Sequence, residues 1–271
     1  MEPRHESNRR RWNELTPVHV GSDFYDVAGF LAGGGTLFEI EREGVGDVQG
    51  KTLLHLQCHF GLDSLSWARL GAQVVGVDFS EVSIAEARRL TERAGLAERC
   101  RFVCADVLEL ERHLEGTFDV VFTSYGVITW LCDLRRWAQV LAHFLKPGGL
   151  FFMAEIHPFA FVFRENVPAL EVAYDYFHQP AGTEFKGSPD YADPSFVATT
   201  PENYWAWSLS DVLRVLREAG LELRDFREYP YSCYRQFPHM VRQVEGRWRL
   251  PPGGVQIPLL FSVAATKRAA P

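Results

Sequence analysis

From Thr52 to Ile156 the chain alternates short, nearly all-apolar runs with longer stretches whose apolar residues recur every three or four positions. The short runs predict strands over 52–57 (TLLHLQ), 73–78 (QVVGVD), 101–104 (RFVC), 118–124 (FDVVFTS) and 150–156 (LFFMAEI), each apolar enough to be covered on both faces. Between them, Ser80 caps a predicted helix, EVSIAEARRLTERA, that ends at Gly95, with Ser83 and Glu86 offering a second capping-box match. A further helix starts near Asp133 and places Leu134, Trp137, Ala138, Leu141, Ala142 and Leu145 on one stripe, stopping at the turn Lys146-Pro147-Gly148-Gly149. Strands that alternate with helices in this way define an α/β protein with a parallel sheet.

After Ile156 the regularity lapses for about fifty residues that hold Tyr174, Tyr176, Phe177, Tyr191, Tyr204, Trp205 and Trp207 among prolines and glycines. Such an aromatic-rich insertion reads as a pocket cover or, equally, as a packed cap. Order returns with a helix capped by Ser210 and closed by Gly220, followed by strands over 221–229 and 257–266. An excursion containing Tyr231, Tyr234, Phe237, Trp248 and Pro251-Pro252-Gly253-Gly254 separates them.

Composition narrows the function classes. The 271 residues are 46% hydrophobic, and 28 basic against 35 acidic side chains give a net charge of -7, so no nucleic acid is expected as partner. The cluster Arg4, Arg9, Arg10 and Arg11 reads as a solvated helix start. No run approaches the roughly 20 apolar residues of a membrane span, so no membrane partner is expected. The N-terminus lacks a signal-peptide core, and a cytoplasmic location is expected. Five scattered cysteines, an odd number, suit reduced thiols. Oligomeric state is left open.

In an open α/β sheet the ligand lies beyond the carboxyl ends of the strands, so those ends carry the functional reading. The first strand runs into His55-Leu56-Gln57-Cys58-His59-Phe60-Gly61, the second ends at Asp78, the third runs into Ala105-Asp106 and the fourth into Ser124-Tyr125-Gly126. Asp78, 17 residues beyond Gly61, is placed to accept ribose hydroxyls, and Asp106 to accept an exocyclic adenine amine or simply to cap a helix. A dinucleotide pyrophosphate requires glycines that this turn lacks, and His55, Gln57 and His59 obstruct it. A nucleoside bearing an amino-acid tail carries no phosphate and fits better. His55-x-x-Cys58-His59 also has metal-ligand spacing, but without a second close Cys/His pair it falls short of a four-ligand site, and no metal is expected.

The stretch LLHLQCHFGLDSLSWARLGAQVVGVDFS resembles the first motifs of class I S-adenosylmethionine-dependent methyltransferases, in which an acidic residue and three glycines commonly stand at the positions of His55, Gln57, His59 and Gly61. It is especially similar to a bacterial group with the HLQCHFG variant. The likeness continues through FDVVFTSYGVITWLCDLRRWAQVLAHFLKPGGLFFMAEIHPF to REYPYSCYRQFP. It implies a Rossmann-like, seven-stranded, mostly parallel sheet with the last strand antiparallel. It also implies an N-terminal helical lid over residues 1–45 and a methyltransferase domain over 46–271, with cover insertions at about 157–207 and 231–255. S-adenosyl-L-methionine is the implied cofactor, with methionine contacts from Gln57, His59, Gly61 and Ser124, ribose contacts from Asp78, and adenine contacts from Phe79, Asp106 and Val107. Ala105 and Tyr125, beside these at the strand ends, and Tyr25, Trp12, His19 and Phe24 in the lid complete the expected pocket. Gly21, Gly29 and Gly33-Gly34-Gly35 are its candidate hinges. Where the group often has histidine in a Tyr-x-Trp-x-His segment, this chain has Trp207.

The implied chemistry is in-line methyl transfer to a small-molecule acceptor. Glu155 and His157, alternating onto one side of the fifth strand, are the candidate catalytic pair; a structural His157 bound to backbone is the competing expectation. A nucleotide-dependent oxidoreductase is disfavoured by the obstructed turn, and a non-catalytic cofactor-binding protein is the remaining alternative.

Overall fold

The computed structural model describes residues 2–243 and 246–268. Three helices precede the sheet: α1 (Pro3–Gly21), α2 (Val27–Leu31) and α3 (Glu39–Val45). The alternating region then forms β1 (Thr52–Leu56), α4 (Leu62–Arg69), β2 (Gln73–Asp78), α5 (Glu81–Arg93), β3 (Cys100–Cys104), β4 (Phe118–Ser124), α6 (Leu134–Phe144) and β5 (Leu145–Ile156). The remainder comprises β6 (Thr183–Phe185), β7 (Glu202–Tyr204), α7 (Leu209–Glu218), β8 (Leu221–Tyr229), β9 (Val241–Arg242), β10 (Trp248–Arg249) and β11 (Leu260–Lys267).

Seven strands join in the order β3-β2-β1-β4-β5-β11-β8, parallel except for β11, which pairs antiparallel with both β5 and β8. Strand order reverses between β1 and β4, which opens a crevice at their carboxyl ends. Side-chain alternation sorts the sheet residues into two cores. Leu53, Phe122 and Phe152 pack with Leu65 and Trp67 of α4 on one face, and Leu54, Leu56, Val121 and Phe151 pack with Trp137 and Leu141 of α6 on the other. This is why the strand runs read as continuously apolar. Among the described residues, no helix is long and apolar enough to cross a membrane.

Several local expectations are corrected. The last helix is capped by Ser208, not Ser210: Ser208 Oγ accepts from the Asp211 amide, and the Asp211 side chain accepts from the Ser208 amide. The mid-helix pairing of Ser83 with Glu86 does not form a second cap, because the Ser83 hydroxyl is spent on Thr16 and His59. The Lys146–Gly149 turn is absorbed into the start of β5, with a register shift opposite Phe118–Val120 and Gly148 at φ 76°. The two irregular insertions each contain a small antiparallel pair, β6 with β7 and β9 with β10.

Candidate functional site

The crevice at the carboxyl ends of β1 to β4 is roofed by the N-terminal helices and the long insertion, which together enclose a cavity of about 1550 Å³. Tyr25, Gln57, His59, Gly61, Asp78, Phe79, Ala105, Asp106, Val107, Ser124 and Tyr125 all line it.

The turn after β1 explains the missing glycines. Gln57, His59 and Gly61 have φ of 56°, 52° and 84°, so all three positions keep the left-handed backbone that glycine favours, although only Gly61 is glycine. A side chain costs about 1 kcal/mol or more in this region, and at Gln57 and His59 tertiary bonds offset that cost. Gln57 Nε2 donates to Val127 O at 2.9 Å and the His59 amide donates to Asp78 Oδ2 at 2.9 Å. Gly61 has no such freedom, since a Cβ there would stand 2.5 Å from Phe102 Cζ.

His59 is the inner end of a buried hydrogen-bond chain. Asp190 Oδ2 lies 3.0 Å from His19 Nε2, His19 Nδ1 lies 2.9 Å from His59 Nε2, and His59 Nδ1 lies 3.2 Å from Ser83 Oγ. Burial, and then His19 beside it, push His59 well below the usual histidine range, which keeps that ring neutral. Burial works to raise Asp190, but the His19 bond and the Ala192 and Asp193 amides outweigh it and hold its carboxyl low. Tyr25 stacks on His19, Trp12 meets the edges of His19, His59 and Trp130, and Tyr25 and Tyr191 share a hydroxyl contact.

The two strand-end carboxylates are already partly engaged. Asp78 also accepts from the Ser80 amide at 2.9 Å; burial raises its pKa to about 6 against those backbone donors. Asp106 caps the turn after β3 through the Leu108 amide, and its other oxygen meets His5 Nδ1 at 3.0 Å. Among the described residues, four that line the cavity carry a buried polar atom without a hydrogen-bond partner: Arg11 Nε, His55 Nε2, Gln57 Oε1 and Tyr125 Oη. Such atoms are satisfied by a polar ligand or water, so the residues present fit a nucleoside with a polar tail.

The structure places the expected catalytic pair away from the cavity. Neither Glu155 nor His157 lines the cavity. Glu155 is fully buried and accepts from the amides of Gly126, Val127 (2.8 Å), Ile128 (3.1 Å) and Ile156 (2.6 Å), which ties down the loop after β4. His157 Nε2 bonds Glu228 Oε1 at 2.8 Å across the sheet edge, its Nδ1 accepts the Phe159 amide, and its edge rests on Phe261. Beyond the strand end the chain turns, and the alternation that paired the two residues no longer aims them at the ligand. Trp207 stacks on His178 at 3.7 Å and donates to Leu131 O.

Three residues that sequence reasoning passed over line the cavity or anchor its walls: Asp63, Glu165 and Asp190. Only Asp63 carried a usable signal, an acidic residue two positions past Gly61 in an otherwise apolar helix start.

A seven-stranded sheet with this order, its antiparallel insertion, and a glycine-type turn facing strand-end carboxylates define a nucleoside-binding α/β domain of the methyltransferase kind. Residues 53–149 match the model of the methyltransferase domain family. A ubiquinone biosynthesis O-methyltransferase of Pseudomonas paraeruginosa is 30% identical over 196 residues, covering 71% of this chain and 72% of that protein. Among solved structures, the [4+2]-cyclase SpnF superposes with a TM-score of 0.59 at 18% identity, covering 99% of this chain and 98% of that one. The glycopeptide N-methyltransferase MtfA, complexed with S-adenosyl-L-methionine, does so with a TM-score of 0.53 at 18% identity, covering 82% and 89%. The chain belongs to the class I S-adenosylmethionine-dependent methyltransferases, and S-adenosyl-L-methionine is its cofactor.

Replacing the middle of the histidine chain leaves Asp190 and His59 buried without each other's support. His19→Ala is expected to lower the unfolding free energy by about 2–4 kcal/mol in urea denaturation. A loss below about 0.5 kcal/mol, the level of an ordinary surface change, would mean that the chain of bonds is not formed in solution.

Proposed function

We propose that the protein transfers a methyl group from S-adenosyl-L-methionine to a small-molecule acceptor held under the N-terminal lid and the long insertion. The observation that carries this reading is the continuity of one cavity: the turn and strand-end residues at its inner end open into walls formed by Phe161, Phe163, Tyr174, Tyr204 and Tyr234. Residues 1–45 act as the lid over a domain spanning 46–271, with the insertions at about 157–207 and 231–255 covering the acceptor. Gln57, His59, Gly61 and Ser124 hold the methionine portion, Asp78 the ribose, and Phe79, Ala105, Asp106 and Val107 the adenine. Tyr25 and Tyr125 close the space between cofactor and acceptor.

Bound there, the cofactor supplies a methyl group on a sulfonium, and in-line transfer breaks that carbon–sulfur bond and leaves S-adenosylhomocysteine. The protein's part is to align the two reactants and exclude water. Where the acceptor must lose a proton, Glu165 is the group we assign to take it. Glu165 stands solvent-exposed where it opens onto the cavity, meets Tyr234 Oη at 3.4 Å, and has its pKa raised by the surrounding protein and then by Glu202. A hydroxyl acceptor agrees with the name of the Pseudomonas relative.

Calorimetric titration with S-adenosyl-L-methionine and with NAD, followed by a metabolite screen for S-adenosylhomocysteine release, tests the reading. Binding of the first ligand alone and release with at least one acceptor are expected. Binding without release across the screen would favour a non-catalytic role, and no binding at millimolar concentration would remove the reading altogether. With an acceptor in hand, kcat/KM is expected to rise as pH increases through about 7, because the Glu165 carboxylate accepts a proton only once ionised. Glu165→Gln should lower turnover about 100-fold or more and abolish that inflection; a variant with the wild-type profile would clear Glu165 of the role.

A further inference from the structure

Asp63, on the first turn of α4, is a carboxylate lining the cavity immediately behind the cofactor turn. Its two hydrogen bonds come from neutral hydroxyls, Thr36 Oγ1 at 2.5 Å and Ser124 Oγ at 3.1 Å, and among the described residues no ion pair forms on it. Burial raises its pKa, against those two donors. The group nearest in charge makes its position worse: Glu41 of α3 is wholly buried, and burial and Asp63 together push its pKa to about 8, so Glu41 holds its proton at neutral pH. Tyr125 and Cys233, also near Glu41, are pushed upward by burial first and by neighbouring acids next and bring no positive charge.

A second observation points to a polar ligand in the same cavity. His55 is 2% exposed, its Nδ1 is bonded to Ser64 Oγ at 2.8 Å, and its Nε2 lines the cavity with no partner. Burial holds this ring's pKa at about 3, so it is neutral and cannot serve as the missing cation. A half-buried carboxylate without a cation and a buried polar atom without a partner, lining one cavity, suit a ligand with a cationic hydrogen-bonding group.

We infer that Asp63 is the counter-ion of the cofactor's α-ammonium, a positioning role that the turn residues do not fill. The inference rests on the cofactor reading above. Of the two cationic centres in S-adenosyl-L-methionine, only the ammonium donates hydrogen bonds, and the sulfonium must stay free to face the acceptor. Ser124, which donates to Asp63 Oδ2, couples this carboxylate to the end of β4, where the methionine portion is held.

The test compares two ligands by calorimetry: S-adenosylhomocysteine, which has the ammonium and no sulfonium, and S-(3-carboxypropyl)-5′-thioadenosine, which differs from it only in lacking the α-amine. Wild-type protein is expected to bind the deaminated ligand about 30-fold more weakly, as befits a charge-assisted bond in a buried site. Asp63→Asn should bind S-adenosylhomocysteine about 30-fold more weakly than wild type and change affinity for the deaminated ligand less than about 3-fold. Equal affinity of wild-type protein for both ligands overturns the inference, as does a variant that weakens both alike. If Asp63→Asn fails to unfold cooperatively, the wild-type pair decides alone. Absence of binding by wild-type protein to either ligand removes the cofactor reading itself, and the inference with it.

Discussion

The buried chain from Asp190 through His19 and His59 to Ser83 is the constraint on which the site depends. It joins four separate parts of the sequence: the long insertion, the N-terminal helix, the turn after β1 and the helix after β2. Each link is a hydrogen bond between groups that would be costly to bury alone, so no part can leave its place without stranding the next. The roof of the cavity is thereby fastened to the turn after β1 rather than resting on it.

The same chain makes the unusual turn sustainable. A nucleoside site built from glycines gets its left-handed backbone without steric cost, at the expense of conformational entropy in the unfolded chain. Here Gln57 and His59 adopt that backbone with side chains attached, and the side chains become useful: one ties the turn to the loop after β4, the other ends the histidine chain. Glu155 fixes the opposite wall by gathering the amides of residues 126–128. The cavity is thus hydrogen-bonded to its surroundings at its inner end, and aromatic and less regular at its outer end.

Much of the fold was legible from period and punctuation. Strand 73–78 and strand 118–124 fall where their apolar runs and flanking turns place them, because both faces of the sheet are covered there; strand 221–229, a largely exposed edge strand, follows the helix stop at Gly220. Caps were less legible: Ser208 and Ser210 both precede acidic residues, and only tertiary packing selects Ser208. The inner wall of the cavity could be read from strand ends, since topology alone sends Asp78, Asp106 and Ser124 to one crevice. Strand alternation pairs Glu155 with His157, but Glu155, inside β5, is spent on backbone amides, and His157 lies past the strand end and bonds Glu228. Asp190 and Glu165 were hidden for a different reason. They reach the cavity from a segment without periodicity, and no local pattern reveals which of its acidic residues turns inward.

The central claim, that lid, insertion and cofactor turn behave as one clasped unit, is tested most directly by amide hydrogen exchange with and without S-adenosyl-L-methionine. The account predicts that residues 10–35, 57–61 and 183–205 gain protection together when the cofactor binds. Protection confined to residues 57–61, with the lid and insertion exchanging as before, would contradict it.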